Sequence, residues 1–267
     1  MTAQTRSEIA SLLDRHGLSP SHRLGQHFLA DGNITRKIVD LAGVERGDPV
    51  VEVGAGTGTL TLALAAAGAH VTAYEVDAGL RPVLEEVTAG LEVELRMVDV
   101  MTVDFSRALD DRAWKMVANL PYNVGTPMLL DALRHATQIE RFVIMVQREV
   151  AERLVAEPGS REYGLPSVVA GIHSDRKLSF RVPPQVFYPA PSVESAVVIL
   201  DRKPAPPHAE RAIEIAAAGF QQRRKMLRRS LEGVFDDPVS ALRGAGIDPT
   251  TRAEDLAPHG YVTLAGA

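Results

Sequence analysis

Short apolar runs alternate with amphipathic stretches along the first 150 residues of the chain. These strand-like runs are four to six residues long; the run over residues 142–146 is continuously apolar, whereas the run over residues 93–98 also holds Glu94 and Arg96. They cover residues 49–53, 70–74, 93–98, 115–118 and 142–146. Between them, the spacing of apolar residues predicts helices over residues 59–67, 80–87 and 127–135. Strands that alternate with helices form a parallel sheet covered on both faces, so the predicted fold class is α/β with a doubly wound sheet.

The pattern outside this core predicts a second, smaller domain. A short helix over residues 7–15 and a helix capped by Asp31 come before the first strand, and strands over 178–182 and 196–200 come late in the chain. The segment 204–207 holds three prolines and is typical of a linker. Beyond it, helical patterns cover residues 209–220, 223–234 and 238–244. We therefore predict a larger domain over residues 1–203 and a helical domain over residues 204–267.

A glycine loop follows the first strand, with Gly54 and Gly56 in the motif Glu-Val-Gly-Ala-Gly-Thr-Gly. Glycines let a chain pass close to a ligand, although nicotinamide enzymes carry similar loops and a tight turn alone would need them too. Glu75 ends the second strand, where a carboxylate can accept hydrogen bonds from both ribose hydroxyls. Asp99 ends the third strand, within reach of an adenine amine. Acids at successive strand ends indicate a nucleoside-type cofactor, because ligands of such sheets lie outside the carboxyl ends of the strands.

The motif Asn119-Leu120-Pro121-Tyr122 ends the fourth strand, where a transferable group would be presented. These residue types suit transfer to an exocyclic amine such as N6 of adenine. The N6 lone pair is delocalised into the ring, so this amine is a poor nucleophile. The Asn119 side-chain carbonyl and the Leu120 backbone carbonyl could each accept one N6–H bond and aim the lone pair at a sulfonium methyl group. Pro121 restricts the backbone at Leu120, and Tyr122 offers a ring on which a flipped-out base can stack.

Composition sets limits on the function. Hydrophobic residues make up 45% of the 267, which suits a globular protein with a core. Cysteine is absent, which excludes disulfides and thiolate chemistry, and the eight histidines lack ligand spacing, so no metal is predicted. No apolar run approaches the roughly 20 residues that span a bilayer, and the first 20 residues resemble no signal peptide. A cytoplasmic protein without membrane contact is expected.

Basic residues are concentrated near the end of the chain, although the net charge is -5. Residues 202–267 hold 10 Lys/Arg and 8 Asp/Glu. Five of these basic residues occupy seven consecutive positions: Arg223, Arg224, Lys225, Arg228 and Arg229. On a helix they could present cationic groups to RNA phosphates, and the alternative is an ordinary solvated helix face.

Four segments then occur in an order that resembles the ribosomal RNA adenine dimethyltransferase family. They are residues 23–29, the glycine loop, residues 119–123, and the run Val-Phe-Tyr-Pro-Ala-Pro-Ser-Val at 186–193. The resemblance runs from about Arg23 to Leu231, with departures from the family pattern at His27, Ala55, Glu194 and Met226. It is strongest for the branch that acts on two adjacent adenines near the 3′ end of small-subunit rRNA.

The resemblance implies S-adenosylmethionine as the cofactor. Its contacts would be His27, Leu29, Gly54, Gly56, Glu75, Asp99 and Asn119. It also implies that Asn119 and Tyr122 hold the target adenine, with Phe187 stacking on the other face of the base. The larger domain would then be the methyltransferase and the helical domain would contact RNA.

The resemblance therefore implies N6,N6-dimethylation of two adjacent adenosines by a monomer that acts on small-subunit rRNA in an assembling ribosomal subunit. A methyltransferase for large-subunit rRNA that confers macrolide resistance is an alternative. Leu120, Tyr122 and the segment 221–225 favour the small-subunit branch. A non-catalytic ribosome-assembly factor and an adenine methyltransferase for DNA or small molecules are further alternatives. The intact Asn119 motif and Glu75 favour an enzyme, and the basic segment weakly disfavours a small substrate.

Overall fold

A computed structural model describes residues 4–121 and 125–267 of the chain. The helices of these residues are α1 (Arg6–Arg15), α2 (Gly32–Ala42), α3 (Thr59–Ala66), α4 (Arg81–Thr88), α5 (Phe105–Ala108), α6 (Gly125–His135), α7 (Arg148–Val155), α8 (Leu165–His173), α9 (Ala209–Gln221), α10 (Leu227–Ser230), α11 (Pro238–Gly244) and α12 (Pro258–Ala265). The strands are β1 (Phe28–Leu29), β2 (Pro49–Val53), β3 (His70–Glu75), β4 (Val93–Met97), β5 (Trp114–Asn119), β6 (Ile139–Gln147), β7 (Ser174–Val182), β8 (Phe187–Tyr188) and β9 (Ser195–Arg202).

Seven strands form one sheet in the order β4-β3-β2-β5-β6-β9-β7. The pairs from β4 to β6 are all parallel, and β9 runs antiparallel to β6. The short strands β1 and β8 form a separate antiparallel pair. The predicted α/β fold with a mostly parallel sheet is confirmed. The parallel strands also bring the carboxyl ends of β2, β3, β4 and β5 to one edge of the sheet.

The sheet is stabilised by burial on both faces. All five residues of β2 are buried, which explains why its apolar residues do not alternate with exposed ones, and Glu52 is the single charged residue among them. In α2, Asp31 caps the helix start by accepting hydrogen bonds from the N–H groups of Asn33 and Ile34. The buried face of α2, with Ile38 and Ala42, packs into the same core as the strands.

The chain divides into two compact units. The first comprises the residues up to Ala151 together with Lys177–Asp201, and the second comprises Glu152–Arg176 and Arg202–Ala267. This grouping differs from the single boundary after residue 203 that the sequence predicts. In the second unit, α8 packs against α9 and α12. Tyr163 is fully buried there, and its hydroxyl donates to the Leu256 carbonyl at 2.8 Å.

The predicted helix over residues 223–234 is wrong. Residues 222–225 form a turn and a bend, and within the predicted span only the four residues of α10 are helical. Met226 has an extended backbone and pairs with Arg252 in an isolated bridge, while the Leu227 N–H donates to the Thr251 carbonyl at 2.7 Å. These contacts to a distant segment replace the helical hydrogen bonds that the local pattern predicts.

Within residues 4–121 and 125–267, no helix is long and apolar enough to cross a membrane. The same residues contain no group of three or more His, Cys, Asp or Glu side chains that could hold a metal ion.

Candidate active site

A pocket lies at the carboxyl ends of β2, β3, β4 and β5, where the glycine loop meets the segment around β1. It brings together every described residue for which the sequence predicts cofactor contact. These are His27, Leu29, Gly54, Gly56, Glu75, Asp99 and Asn119. The strands position them, because each acidic or amide side chain stands at or just after the end of a parallel strand.

The glycine loop needs glycine at the positions that approach other groups most closely. Gly54 and Gly56 both have positive φ, at 77° and 59°. A Cβ atom at Gly54 would lie 3.4 Å from the Asn119 carbonyl oxygen, and one at Gly56 would lie 2.9 Å from Phe28 Cδ1. The N–H groups of Gly54 and Ala55 both donate to the Tyr74 carbonyl, at 2.8 and 3.1 Å. The loop is therefore attached to the end of β3.

Glu75 is buried, with 6% of its surface exposed, and its two carboxylate oxygens hold the backbone on either side. One oxygen accepts from the Gly56 N–H at 2.8 Å and the other from the Asp77 N–H at 2.9 Å. Burial raises the pKa of Glu75, and these backbone hydrogen bonds oppose the rise. Each oxygen has a second lone-pair site, so a pair of hydroxyl groups could still bind.

Asp99 and Val76 line the outer part of the pocket. Asp99 is exposed, and its Oδ1 atom accepts from the Met101 N–H at 2.9 Å. Among the described residues, no hydrogen bond uses its Oδ2 atom, so that oxygen can accept from an amine. Val76 is 48% exposed, which is unusual for a valine next to a buried strand. Val76 is not among the residues predicted from the sequence to bind the cofactor, yet its side chain offers an apolar surface to a flat ring.

Within the described part of the chain, one donated hydrogen bond orients the Asn119 side chain. Its Nδ2 atom donates to the His27 carbonyl at 3.2 Å. Because a carbonyl can only accept, the amide oxygen must lie on the other side of the group. The His27 ring is fixed in turn, since its Nδ1 atom lies 2.8 Å from the Pro189 carbonyl. Among the described residues, no hydrogen bond uses the Oδ1 atom of Asn119.

The residues after Asn119 turn the chain away from the sheet. Leu120 is buried, and its N–H donates to the Met145 carbonyl of β6 at 3.0 Å. The Pro121 carbonyl accepts from the Gly125 N–H at 3.0 Å, at the start of α6. Leu120 and Pro121 both line the pocket. Tyr122, which the sequence assigns to base stacking, lies outside the described residues.

Phe187 is the predicted site residue that this structure does not bring to the pocket wall. Its side chain is fully buried in the core, and β8 pairs it with Leu29. Alternation along a strand places neighbouring side chains on opposite faces, so the half-buried Tyr188 is directed differently. Stacking of Phe187 on a base stays a prediction and would require the loop around β8 to shift.

Glu52 is a pocket residue for which sequence analysis proposed no role. It is 1% exposed, and its Oε2 atom has no hydrogen-bond partner among the described residues. Burial raises the pKa of Glu52 to about 8, and the nearby Glu75 carboxylate adds to the rise. An acidic residue inside a buried strand was the signal that could have identified it, because such groups are rarely left in a core without a reason.

The five basic residues near the chain end divide into two groups. Arg223 is engaged within its own unit: its Nε atom donates to Glu254 at 2.7 Å, and its NH2 group donates to the carbonyls of Ser160 and Arg161 at 3.1 and 2.8 Å. Arg229 forms an exposed ion pair with Glu232 at 3.0 Å. The remaining three are exposed and form no ion pair within residues 4–121 and 125–267: Arg224, Lys225 and Arg228.

Known proteins match the chain over nearly its full length. Residues 18–266 match the ribosomal RNA adenine dimethylase family. The ribosomal RNA small subunit methyltransferase A of Phenylobacterium zucineum is 43% identical over 271 residues, covering 100% of this chain and 94% of that protein. The protein of the same name from Nocardia farcinica is 45% identical over 276 residues, covering 97% and 93%.

Two solved structures agree with these matches. The 23S rRNA methyltransferase ErmE has a TM-score of 0.70 and 26% identity, covering 90% of this chain and 98% of that chain. A dimethyladenosine transferase from Plasmodium falciparum shares the fold, with a TM-score of 0.75 and 21% identity over 89% of this chain and 96% of that one. As the resemblance predicts, this chain belongs to the ribosomal RNA adenine dimethylase family.

Proposed function

We propose that this family member transfers methyl groups from S-adenosylmethionine to N6 of two adjacent adenosines near the 3′ end of small-subunit rRNA. The observation that carries the proposal is the orientation of Asn119. Its amide nitrogen is held by the His27 carbonyl, which leaves the amide oxygen as an acceptor in the pocket. An acceptor at this position can bind one hydrogen of an exocyclic amine.

The pocket residues fit S-adenosylmethionine. Gly54 and Gly56 have positive φ, and Gly56 has no space for a Cβ atom, so the backbone of this loop can border the ligand. Glu75 would hold the ribose hydroxyls, Asp99 would accept from the adenine amine, and Val76 would contact the ring. The buried Oε2 atom of Glu52, which has no partner within residues 4–121 and 125–267, would face the ammonium group, and this would favour the ionised form of the carboxyl. When bound, S-adenosylmethionine supplies a methyl group activated by a sulfonium charge.

Asn119 and Leu120 would bind and orient the target amine. The Asn119 Oδ1 atom accepts one N6–H, and the Leu120 carbonyl, which no donor among the described residues uses, accepts the other. When both N6–H groups donate to these acceptors, the N6 lone pair is localised on the nitrogen and is directed out of the ring plane. Because the amine is neutral at the start, no strong base is required before attack, and positioning supplies much of the rate.

The substrate follows from the relatives rather than from the pocket. Relatives that are 43–45% identical across the whole chain are named as methyltransferases of the small ribosomal subunit. The 26% identity with a 23S rRNA methyltransferase is weaker support for a large-subunit substrate. We further propose that the chain acts as a monomer in the cytoplasm on subunits that are still assembling.

A methyl-transfer assay tests this function. Purified chain is incubated with S-adenosylmethionine labelled in the methyl group and with small subunits that lack the modification, and the rRNA is digested to nucleosides. Label is expected in N6,N6-dimethyladenosine. Unmodified large subunits are the matched control and should stay unlabelled. Label in large-subunit rRNA alone would favour the macrolide-resistance alternative, and binding to small subunits without label would leave only an assembly role.

A further inference from the structure

Gln4 lies far from the glycine loop in sequence but makes three hydrogen bonds to the end of this loop and the first residue of α3. Its Nε2 atom donates to the Thr57 carbonyl at 2.8 Å. Its Oε1 atom accepts from the hydroxyls of Thr57 and Thr59, at 2.7 and 2.9 Å. All three side chains are buried, and both threonines line the pocket. Buried hydrogen bonds of this kind hold a loop in one conformation, because breaking them leaves polar groups unsatisfied.

Arg6 contacts a different loop from the same segment. Its NH2 group donates to the carbonyls of Gln185 and Phe187, the latter at 2.8 Å. Phe187 begins β8, and the Pro189 carbonyl just beyond it accepts from the His27 ring. The His27 carbonyl in turn accepts from Asn119. A continuous series of hydrogen bonds and covalent segments therefore joins Arg6 to the side chain that would orient the substrate amine.

The two contacts share one support. Thr5 stands between Gln4 and Arg6 and caps α1, with Glu8 completing a capping box. The buried face of α1, Ile9, Leu12 and Leu13, packs in a cluster with Phe28. Phe28 is the residue that closely approaches Gly56. The N-terminal segment thus contacts both the glycine loop and the β8 segment.

We propose that Gln4 and Arg6 are positioning residues with separate effects: Gln4 orders the glycine loop for the cofactor, and Arg6 orders the β8 loop that fixes His27 and Asn119. The inference rests on the proposed function, since it assigns the two loops to cofactor and substrate. If the two residues were merely structural, replacing either one would lower stability and would affect cofactor binding and methyl transfer together.

The test measures each step separately in the full-length chain. For Gln4→Ala, the dissociation constant of S-adenosylhomocysteine, measured by calorimetry, should rise about tenfold, as expected for the loss of buried hydrogen bonds. The kcat for methyl transfer at saturating S-adenosylmethionine should stay near that of the unsubstituted chain. For Arg6→Ala, the kcat should fall about tenfold while the dissociation constant is unchanged. Arg6→Lys keeps a donor for the same carbonyls and should recover part of the kcat.

Arg15→Ala is the matched control, because it removes an exposed arginine from the other end of α1, where its partner is Glu86, and it touches neither loop. It should change neither constant. The inference is wrong if Gln4→Ala binds S-adenosylhomocysteine normally, if Arg6→Ala keeps its kcat, or if Arg15→Ala reproduces both defects. If the unsubstituted chain binds S-adenosylhomocysteine but methylates no rRNA, the proposed function fails, and with it the Arg6 assignment, while calorimetry still decides the role of Gln4.

Discussion

Among the residues that the structure describes, the side chain of Asn119 makes one hydrogen bond, and this bond determines which of its two polar atoms faces the pocket. Replacing the amide removes the proposed acceptor for the substrate amine and the donor to His27 at once. The contact is local, and the fold does not depend on it, because the residue is only partly buried at the end of β5.

Asn119→Ala should therefore lower kcat for methyl transfer by about 100-fold or more, the size found when an oriented polar group is removed from a transition state. Affinity for small subunits should stay close to that of the unsubstituted chain, because RNA phosphates supply most of it. Filter binding and the methyl-transfer assay measure the two effects. Asn33→Ala, which removes an exposed asparagine from α2, should change neither. An equal loss of binding and transfer would contradict the assigned role.

Glu52 makes stability depend on pH. Its pKa rises from 4.5 to about 8 on folding, so the folded chain keeps a proton that the unfolded chain releases between these values. The contribution of this residue to the free energy of unfolding is therefore lost as the pH rises from about 5 to about 8, by up to about 1.4 kcal/mol per pH unit.

Glu52→Gln keeps the shape of the side chain and removes its titration. Relative to the unsubstituted chain, the variant should become progressively more stable as the pH is raised through this window in the absence of ligand. Urea unfolding at several pH values measures the difference. A stability difference that is independent of pH would show that the carboxyl is not protonated in the folded state.

At the scale of elements, the turn between α9 and α10 holds arginines that look alike in sequence but have different roles. Arg223 and Arg224 are adjacent, but only Arg223 is directed into the second unit, where it binds one carboxylate and two carbonyls. Arg223→Ala should lower the free energy of unfolding of that unit by about 1–3 kcal/mol, because it leaves these acceptors unpaired. Arg224→Ala is the matched control and should be neutral in the same urea titration. Equal effects of the two substitutions would contradict this division.

At the scale of the whole molecule, a chain of net charge -5 must bind a polyanion through local basic groups. The exposed Arg224 and Lys225 are the proposed phosphate contacts. The double variant Arg224→Ala/Lys225→Ala should weaken binding to small subunits and reduce the slope of log affinity against log salt by up to about 2, since each contact contributes about 0.7–0.9. Arg107→Ala, an exposed arginine in the first unit, should leave the slope unchanged. An unaltered slope in the double variant would exclude this turn from the RNA interface.

Local sequence patterns were sufficient to predict the sheet and the pocket residues at the ends of its strands. Glu75 and Asn119 end β3 and β5, and Asp99 lies two residues beyond β4, so their convergence follows once the strands are recognised as parallel and adjacent. Residues whose positions depend on distant partners could not be placed in this way. Gln4 reaches Thr57 across 53 residues, and Phe187 becomes buried because β8 pairs with β1.

The amino-acid sequence alone determined the fold class, the family and the meeting of Glu75, Asp99 and Asn119 at the carboxyl edge of the sheet, because hydrophobic periodicity, short motifs and strand-end position are local properties of the chain. Only the tertiary structure decided which chemically similar groups face solvent, ligand or core. It assigned Arg223 to a structural contact, left Arg224 exposed, grouped Glu152–Arg176 with the C-terminal helices and buried Glu52 beneath the pocket. Burial and hydrogen bonding at these positions come from residues far apart in the chain, and no local pattern encodes them.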